Sequence, residues 1–188
     1  MANRRLRLHK THRTALVALC LLLAPAAWAV ETTPASLLGS RTGPVSTSVN
    51  FGYQVAGVGD VNADGHDDVI VCDSPFTDGA YLYLGSEEGT ETTASWGMPS
   101  PVAGNWELRA YAVGDVNCDG HADFAIGDRL GGGPRDGVVH LFYGGPGGPE
   151  ATADWTYTLS GAGNMQGGRG ITYGDFDEDG CSDLVVGV

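Results

Sequence analysis

Three segments of the chain align on one another without a gap, and this internal repeat constrains the fold more than any other feature. The stretch DVNADGHDD, from Asp60 to Asp68, returns as DVNCDGHAD from Asp115 and as DFDEDGCSD from Asp175, so the anchoring aspartates stand 55 and 60 residues apart. The flanks repeat as well. A short run enters each loop and an apolar run leaves it. Then comes Gly79-Ala80-Tyr81-Leu82-Tyr83 in one copy and Gly137-Val138-Val139-His140-Leu141-Phe142-Tyr143 in the next, followed by a segment carrying Trp96 or Trp155. These runs alternate in polarity and are bounded by Gly and Asp, the pattern of strands and turns. Four short antiparallel strands in about 40–60 residues make one propeller blade. A lone blade cannot bury both faces, and stacking its copies around an axis does so, which is why such a sequence repeats. The expected fold is all-β, with about two and a half blades of four antiparallel strands each.

The loops carry the chemistry. Each reads Asp-x-[Asp/Asn]-x-Asp-Gly-x-x-Asp. Positions one, three, five and nine are Asp60, Asn62, Asp64 and Asp68 in the first loop; Asp115, Asn117, Asp119 and Asp123 in the second; and Asp175, Asp177, Asp179 and Asp183 in the third. Glycine holds position six (Gly65, Gly120, Gly180), where the backbone must reverse with positive φ. His66, His121 and Cys181 at position seven would offer a backbone carbonyl, so their identity is free to vary. Two carboxylates about 4 Å apart repel by on the order of 4 kcal/mol at an effective dielectric of about 20, so closing such a turn calls for a compensating cation. Oxygen-only ligands in this number suit Ca2+ better than Mg2+, which retains water. Up to three Ca2+ ions are expected. Zinc is disfavoured, because no loop offers a set of nitrogen and sulfur ligands. An EF-hand is disfavoured too, because position twelve is Val71, Ile126 or Val186 inside an apolar run, not an acid followed by helix.

Charge and composition bound the setting. Arg4, Arg5, Arg7, Lys10 and Arg13 precede an apolar run over residues 14–24 and the small-residue site Ala27-Trp28-Ala29. This predicts a secretory signal peptide over residues 1–29, the run being too short for a membrane span. Of the 10 Lys+Arg and 23 Asp+Glu in the chain, the leader takes five bases and no acid, leaving 5 against 23 and no lysine. Such a surface repels nucleic acid and anionic lipid and attracts cations. Beyond the leader stand Cys72, Cys118 and Cys181, an odd number that allows at most one internal disulfide. The spacing does not choose the pair, and free buried thiols are at least as strong an expectation. Trp96 and Trp155, at matching places in two repeats, are expected in the blade core. His66, His121 and His140 are expected as loop or strand residues, not catalysts.

Taken together, Phe51-Gly52, the Asp loops and the glycine-led third strands ending in Tyr83 and Tyr143 resemble the FG-GAP repeat of integrin α-subunit propellers and of secreted bacterial proteins, over residues from about 50 to 188. The resemblance implies a seven-bladed propeller with calcium in hairpin loops between the first and second strands. Some positions depart from it: Trp106-Glu107 and Gln166-Gly167 replace Phe-Gly, while Asp73-Ser74-Pro75 and Asp128-Arg129-Leu130 replace Gly-Ala-Pro. The expected organisation is a leader (1–29), a segment that closes the ring as an outer strand (30–49), and repeats at about 50–104, 105–164 and a partial 165–188. Closing a ring would take more chain or a partner, so the sequence reads as a truncated product or N-terminal part. The expected function is a secreted, non-catalytic, calcium-stabilised scaffold that binds an extracellular protein or glycan, with no nucleic-acid binding and no membrane insertion. The alternatives are a leading module of a larger secreted hydrolase or a non-functional fragment. No Gly-x-Ser-x-Gly or His-Glu-x-x-His motif supports the former.

Overall fold

A computed structural model describes residues 51–73, 79–99, 108–132, 136–159 and 167–187. The expected leader, the closing segment at 30–49, Ser74-Pro75, Trp106-Glu107 and Gln166 lie outside the described residues. The described residues contain strands and turns but no helix, so among them no helix is long and apolar enough to cross a membrane.

The first sheet runs β1 (Gln54–Gly59), β2 (Asp68–Cys72), β3 (Gly79–Tyr83) and β4 (Trp96–Pro99), in chain order and antiparallel throughout. The second repeats this arrangement with β5 (Leu108–Gly114), β6 (Asp123–Asp128), β7 (Val138–Phe142) and β8 (Trp155–Thr158). A third unit contributes the antiparallel pair β9 (Gly170–Gly174) and β10 (Asp183–Gly187). These four-stranded meanders are propeller blades, as the repeat predicts. Register repeats with the sequence. Leu82 pairs with Trp96 as Leu141 pairs with Trp155, and β1 and β5 bulge just before their loops, at Gly57/Gly59 and at Ala112/Gly114.

Alternation explains the packing. On β6, Phe124 and Ile126 face the first sheet, joining Val58, Ile70, Leu82, Leu108 and Phe142 in one buried cluster. Ala125 faces the other way, and with Val113, Val139 and Leu141 it packs against Ile171, Leu184 and Val186 of the third unit. Both faces of β6 are therefore buried along its whole length, which is why DFAIGD lacks the polar alternation of a half-exposed strand. Full burial of side chains such as Phe124 and Phe142 stabilises by roughly 1.5–3 kcal/mol each. Close approach sets one glycine. A Cβ on Gly127 would stand 1.9 Å from the Gly168 carbonyl oxygen, so only hydrogen fits where β6 meets the third unit.

Trp96 fulfils the expectation of a core tryptophan. Its ring meets Phe124 and Phe142 edge-on, at centroid distances of 5.3 and 4.8 Å, and its indole N–H donates to the Glu150 carbonyl at 2.8 Å. Trp155 does not. It is 44 % exposed and stacks on Tyr157. The difference is physical. Opposite Trp96 stand the second and third strands of the next sheet, whereas among the described residues the third unit supplies only its first two strands.

Candidate metal centre

Each acidic loop joins the first strand of its unit to the second: β1 to β2, β5 to β6 and β9 to β10. The position-nine aspartates Asp68, Asp123 and Asp183 are the first residues of the strands that follow. Position six has positive φ in all three loops, at 93° for Gly65, 90° for Gly120 and 95° for Gly180. Position four is left-handed too, at 62°, 59° and 62°, although its residues are Ala63, Cys118 and Glu178. Nothing in those side chains signals this conformation, so it is visible only in the folded loop.

The three loops share one hydrogen-bond scheme. The position-one carboxylate accepts the position-five N–H on Oδ1 and the glycine N–H on Oδ2. For Asp60 these bonds come from Asp64 at 3.1 Å and Gly65 at 2.8 Å; for Asp115, from Asp119 at 3.1 Å and Gly120 at 2.8 Å; for Asp175, from Asp179 at 3.1 Å and Gly180 at 3.0 Å. Position five accepts the position-seven N–H, so Asp64, Asp119 and Asp179 hold the amides of His66, His121 and Cys181. Asn62 and Asn117 also donate from Nδ2 to Asp64 and Asp119. The position-nine carboxylate reaches back to the position-two amide: Asp68 to Val61 at 2.9 Å, Asp123 to Val116 at 2.7 Å and Asp183 to Phe176 at 2.8 Å. These amides orient the carboxylates while leaving a second lone pair on each bonded oxygen.

Electrostatics divides the set. Asp68 and Asp123 are buried, at 1 % and 0 % exposure, and burial pushes their carboxyls above the ordinary range against the pull of their amide donors. Asp64 moves the other way, held down chiefly by the Asn62 amide. In the third loop Asp175, Asp177 and Asp183 bring one carboxylate oxygen each within 4.8 Å of one another, and that spacing fits a shared hard cation. Asp179 and Cys181 are not part of this convergence; the Cys181 side chain is bonded elsewhere.

Three features escaped the loop motif. Gly85 and Gly144 donate their N–H groups to Oδ1 of Asp68 and Asp123, both at 2.8 Å, and their matching places after the third strands were a visible signal. Adjacent loops are also chained through the backbone: the Ala122 N–H donates to the Asp60 carbonyl at 3.3 Å and the Ser182 N–H to the Asp115 carbonyl at 2.7 Å. Finally, Cys118 and Cys181 form a disulfide with Cα atoms 5.2 Å apart, while Cys72 is a buried free thiol. This settles the pairing that spacing left open. At the far end of the second sheet, Asp128 serves as a turn cap, its Oδ1 accepting the N–H groups of Leu130 and Gly131. That role fits its departure from the Gly-Ala-Pro pattern.

Residues 60–126 match the FG-GAP-like repeat family, a span that opens on the first acidic loop and closes on β6. The chain is similar to integrin alpha-PS2 of Drosophila melanogaster, with 35 % identity over 117 residues, covering 54 % of this chain and 8 % of the relative. It is similar to integrin alpha-5 of Xenopus laevis, with 30 % identity over 159 residues, covering 73 % and 14 %. It is similar also to integrin alpha-8 of Gallus gallus, with 32 % identity over 154 residues, again covering 73 % and 14 %. The chain thus corresponds to a small part of each of these relatives. Together the matches support an FG-GAP, integrin-α-like propeller.

Proposed function

We propose that this chain is an extracellular, non-catalytic propeller module whose three acidic loops bind Ca2+ and whose surface recognises a protein or glycan. The observation that carries the reading is the common loop scheme, in which side-chain oxygens at positions one, three, five and nine are oriented by the loop's own amides. Convergence of Asp175, Asp177 and Asp183 adds to it. The ligand sets are Asp60, Asn62, Asp64 and Asp68; Asp115, Asn117, Asp119 and Asp123; and Asp175, Asp177, Asp179 and Asp183. Each set is completed by a position-seven backbone carbonyl, from His66, His121 or Cys181. Similarity to integrin α chains favours an adhesion-type role outside the cell. The leader predicted at residues 1–29 is consistent with secretion.

The ions would act as structural staples. At ten times its dissociation constant, one ion adds about 1.4 kcal/mol of stability, and three would add roughly 4 kcal/mol. The test is a thermal melt of the purified chain in millimolar Ca2+ and in excess chelator, with calorimetric titration to count sites. A higher midpoint with calcium and saturable binding are expected. An unchanged midpoint and no heat of binding would defeat the reading.

A further inference from the structure

We propose that the Cys118–Cys181 disulfide is a redox-sensitive clamp that couples cation binding in the second and third loops. This inference rests on the calcium reading above.

The bond sits inside the ligand framework of both loops. Cys118 occupies position four of the second loop, between Asn117 and Asp119, on a left-handed backbone. Cys181 occupies position seven of the third loop, between Asp179 and Asp183 along the chain, and its own amide is held by Asp179. Beside the disulfide, the Ser182 N–H donates to the Asp115 carbonyl at 2.7 Å, so covalent and hydrogen bonds join the same two turns. A displacement of the third loop is thereby transmitted to the segment that presents Asn117 and Asp119.

In the third unit the clamp holds the β9–β10 pair, whose strand β10 is partly exposed along its length. The link closes a span of 63 residues, which removes much of the freedom the pair would otherwise gain by detaching. Between the first and second loops, where both sheets have four strands, the corresponding positions are Ala63 and His121, and hydrogen bonds alone join the turns.

The clamp can be opened chemically. Cys118 is exposed and Cys181 partly so, and access governs attack on a disulfide. A dithiol supplies two electrons and two protons. One of its thiolates attacks a cystine sulfur, the second resolves the mixed disulfide, both cysteines leave as thiols, and the dithiol becomes a cyclic disulfide. Cys72 offers no competing exchange, since it is fully buried and burial pushes its thiol up to about 12.

The test is calorimetric titration of Ca2+ into the intact chain as purified, after reduction with dithiothreitol, and after reoxidation. Hydrogen exchange of residues 167–187 is followed in parallel. Reduction should weaken binding at two sites by at least several-fold, leave the third site unchanged, and raise exchange in β9 and β10. Reoxidation should reverse both effects. A Cys118→Ser/Cys181→Ser variant should match the reduced chain, and the reversible cycle on the unaltered chain stands independently of how that variant folds. Equal affinities and equal exchange in both redox states would overturn the clamp while leaving the calcium reading intact. No calcium binding in either state would overturn the calcium reading and this inference with it.

Discussion

The Gly85 N–H donates to Oδ1 of Asp68 at 2.8 Å, tying the exit of the third strand to the start of the second beneath the first acidic loop. The other oxygen of the same buried carboxylate holds the Val61 amide at 2.9 Å. Position nine is therefore a structural bracket with or without an ion.

Position nine and position five should consequently separate in mutagenesis. Asp68→Ala strands two backbone donors, each costing about 1–3 kcal/mol when left unsatisfied. It should lower stability by about 2–4 kcal/mol even in chelator. Asp64 lies on the exposed side of the loop, and Asp64→Ala should leave the chelated protein nearly unchanged while removing the calcium-dependent gain at that site. Urea unfolding of both variants, with chelator and with calcium, checks this.

Glycine substitutions should track space. Gly127→Ala places a methyl 1.9 Å from the Gly168 oxygen, whereas nothing lies within 4 Å of a Cβ at Gly147. Forcing β6 and the third unit apart should cost about 1–3 kcal/mol or more. Gly147→Ala should stay within about 0.5 kcal/mol of the parent. Denaturation midpoints of the two variants decide it.

Repeat equivalence predicts a second disulfide. Ala63 and His121 hold the places that Cys118 and Cys181 hold one unit later, where the Cα atoms are 5.2 Å apart. Ala63→Cys/His121→Cys should oxidise spontaneously between the first two loops. Non-reducing peptide mapping should find the new cross-link, with stabilisation of about 2–4 kcal/mol if its geometry matches the native one. Two free thiols at these positions would show that the loops are not equivalently spaced.

His140 should make stability depend on pH. Burial holds its imidazole below the ordinary value, against the opposing charge of Asp128, and its Nε2 is buried without a partner. Because the folded pKa is depressed, the unfolded chain takes up the proton first as pH falls. The contribution is therefore present above the unfolded value of about 6.5 and is lost as pH falls through the folded value. Urea unfolding in chelator between pH 7.5 and 5.5 should show this loss, and His140→Gln should flatten it.

Much of the molecule was legible along the chain. Strand–loop–strand units followed from alternation and from glycine at fixed offsets, because a repeat that must stack on itself writes the same pattern each time. The loop positions were legible for a related reason: Asp, Asn and Gly are the side chains that a tight oxygen-lined turn requires, and that requirement is local. The left-handed position four was not legible, since Ala63, Cys118 and Glu178 share no chemistry and the backbone around them imposes the conformation.

The all-β class, the repeat, the loop positions and the acidic surface were legible in the amino-acid order, because each arises from contacts between residues near in the chain or from composition. Which cysteines pair, how neighbouring loops are chained, and which tryptophan packs against the core were settled by tertiary structure. Those outcomes depend on what stands opposite each residue. Trp96 faces Phe124 and Phe142 across a full sheet interface while Trp155 stays exposed, although the two occupy matching places in their repeats.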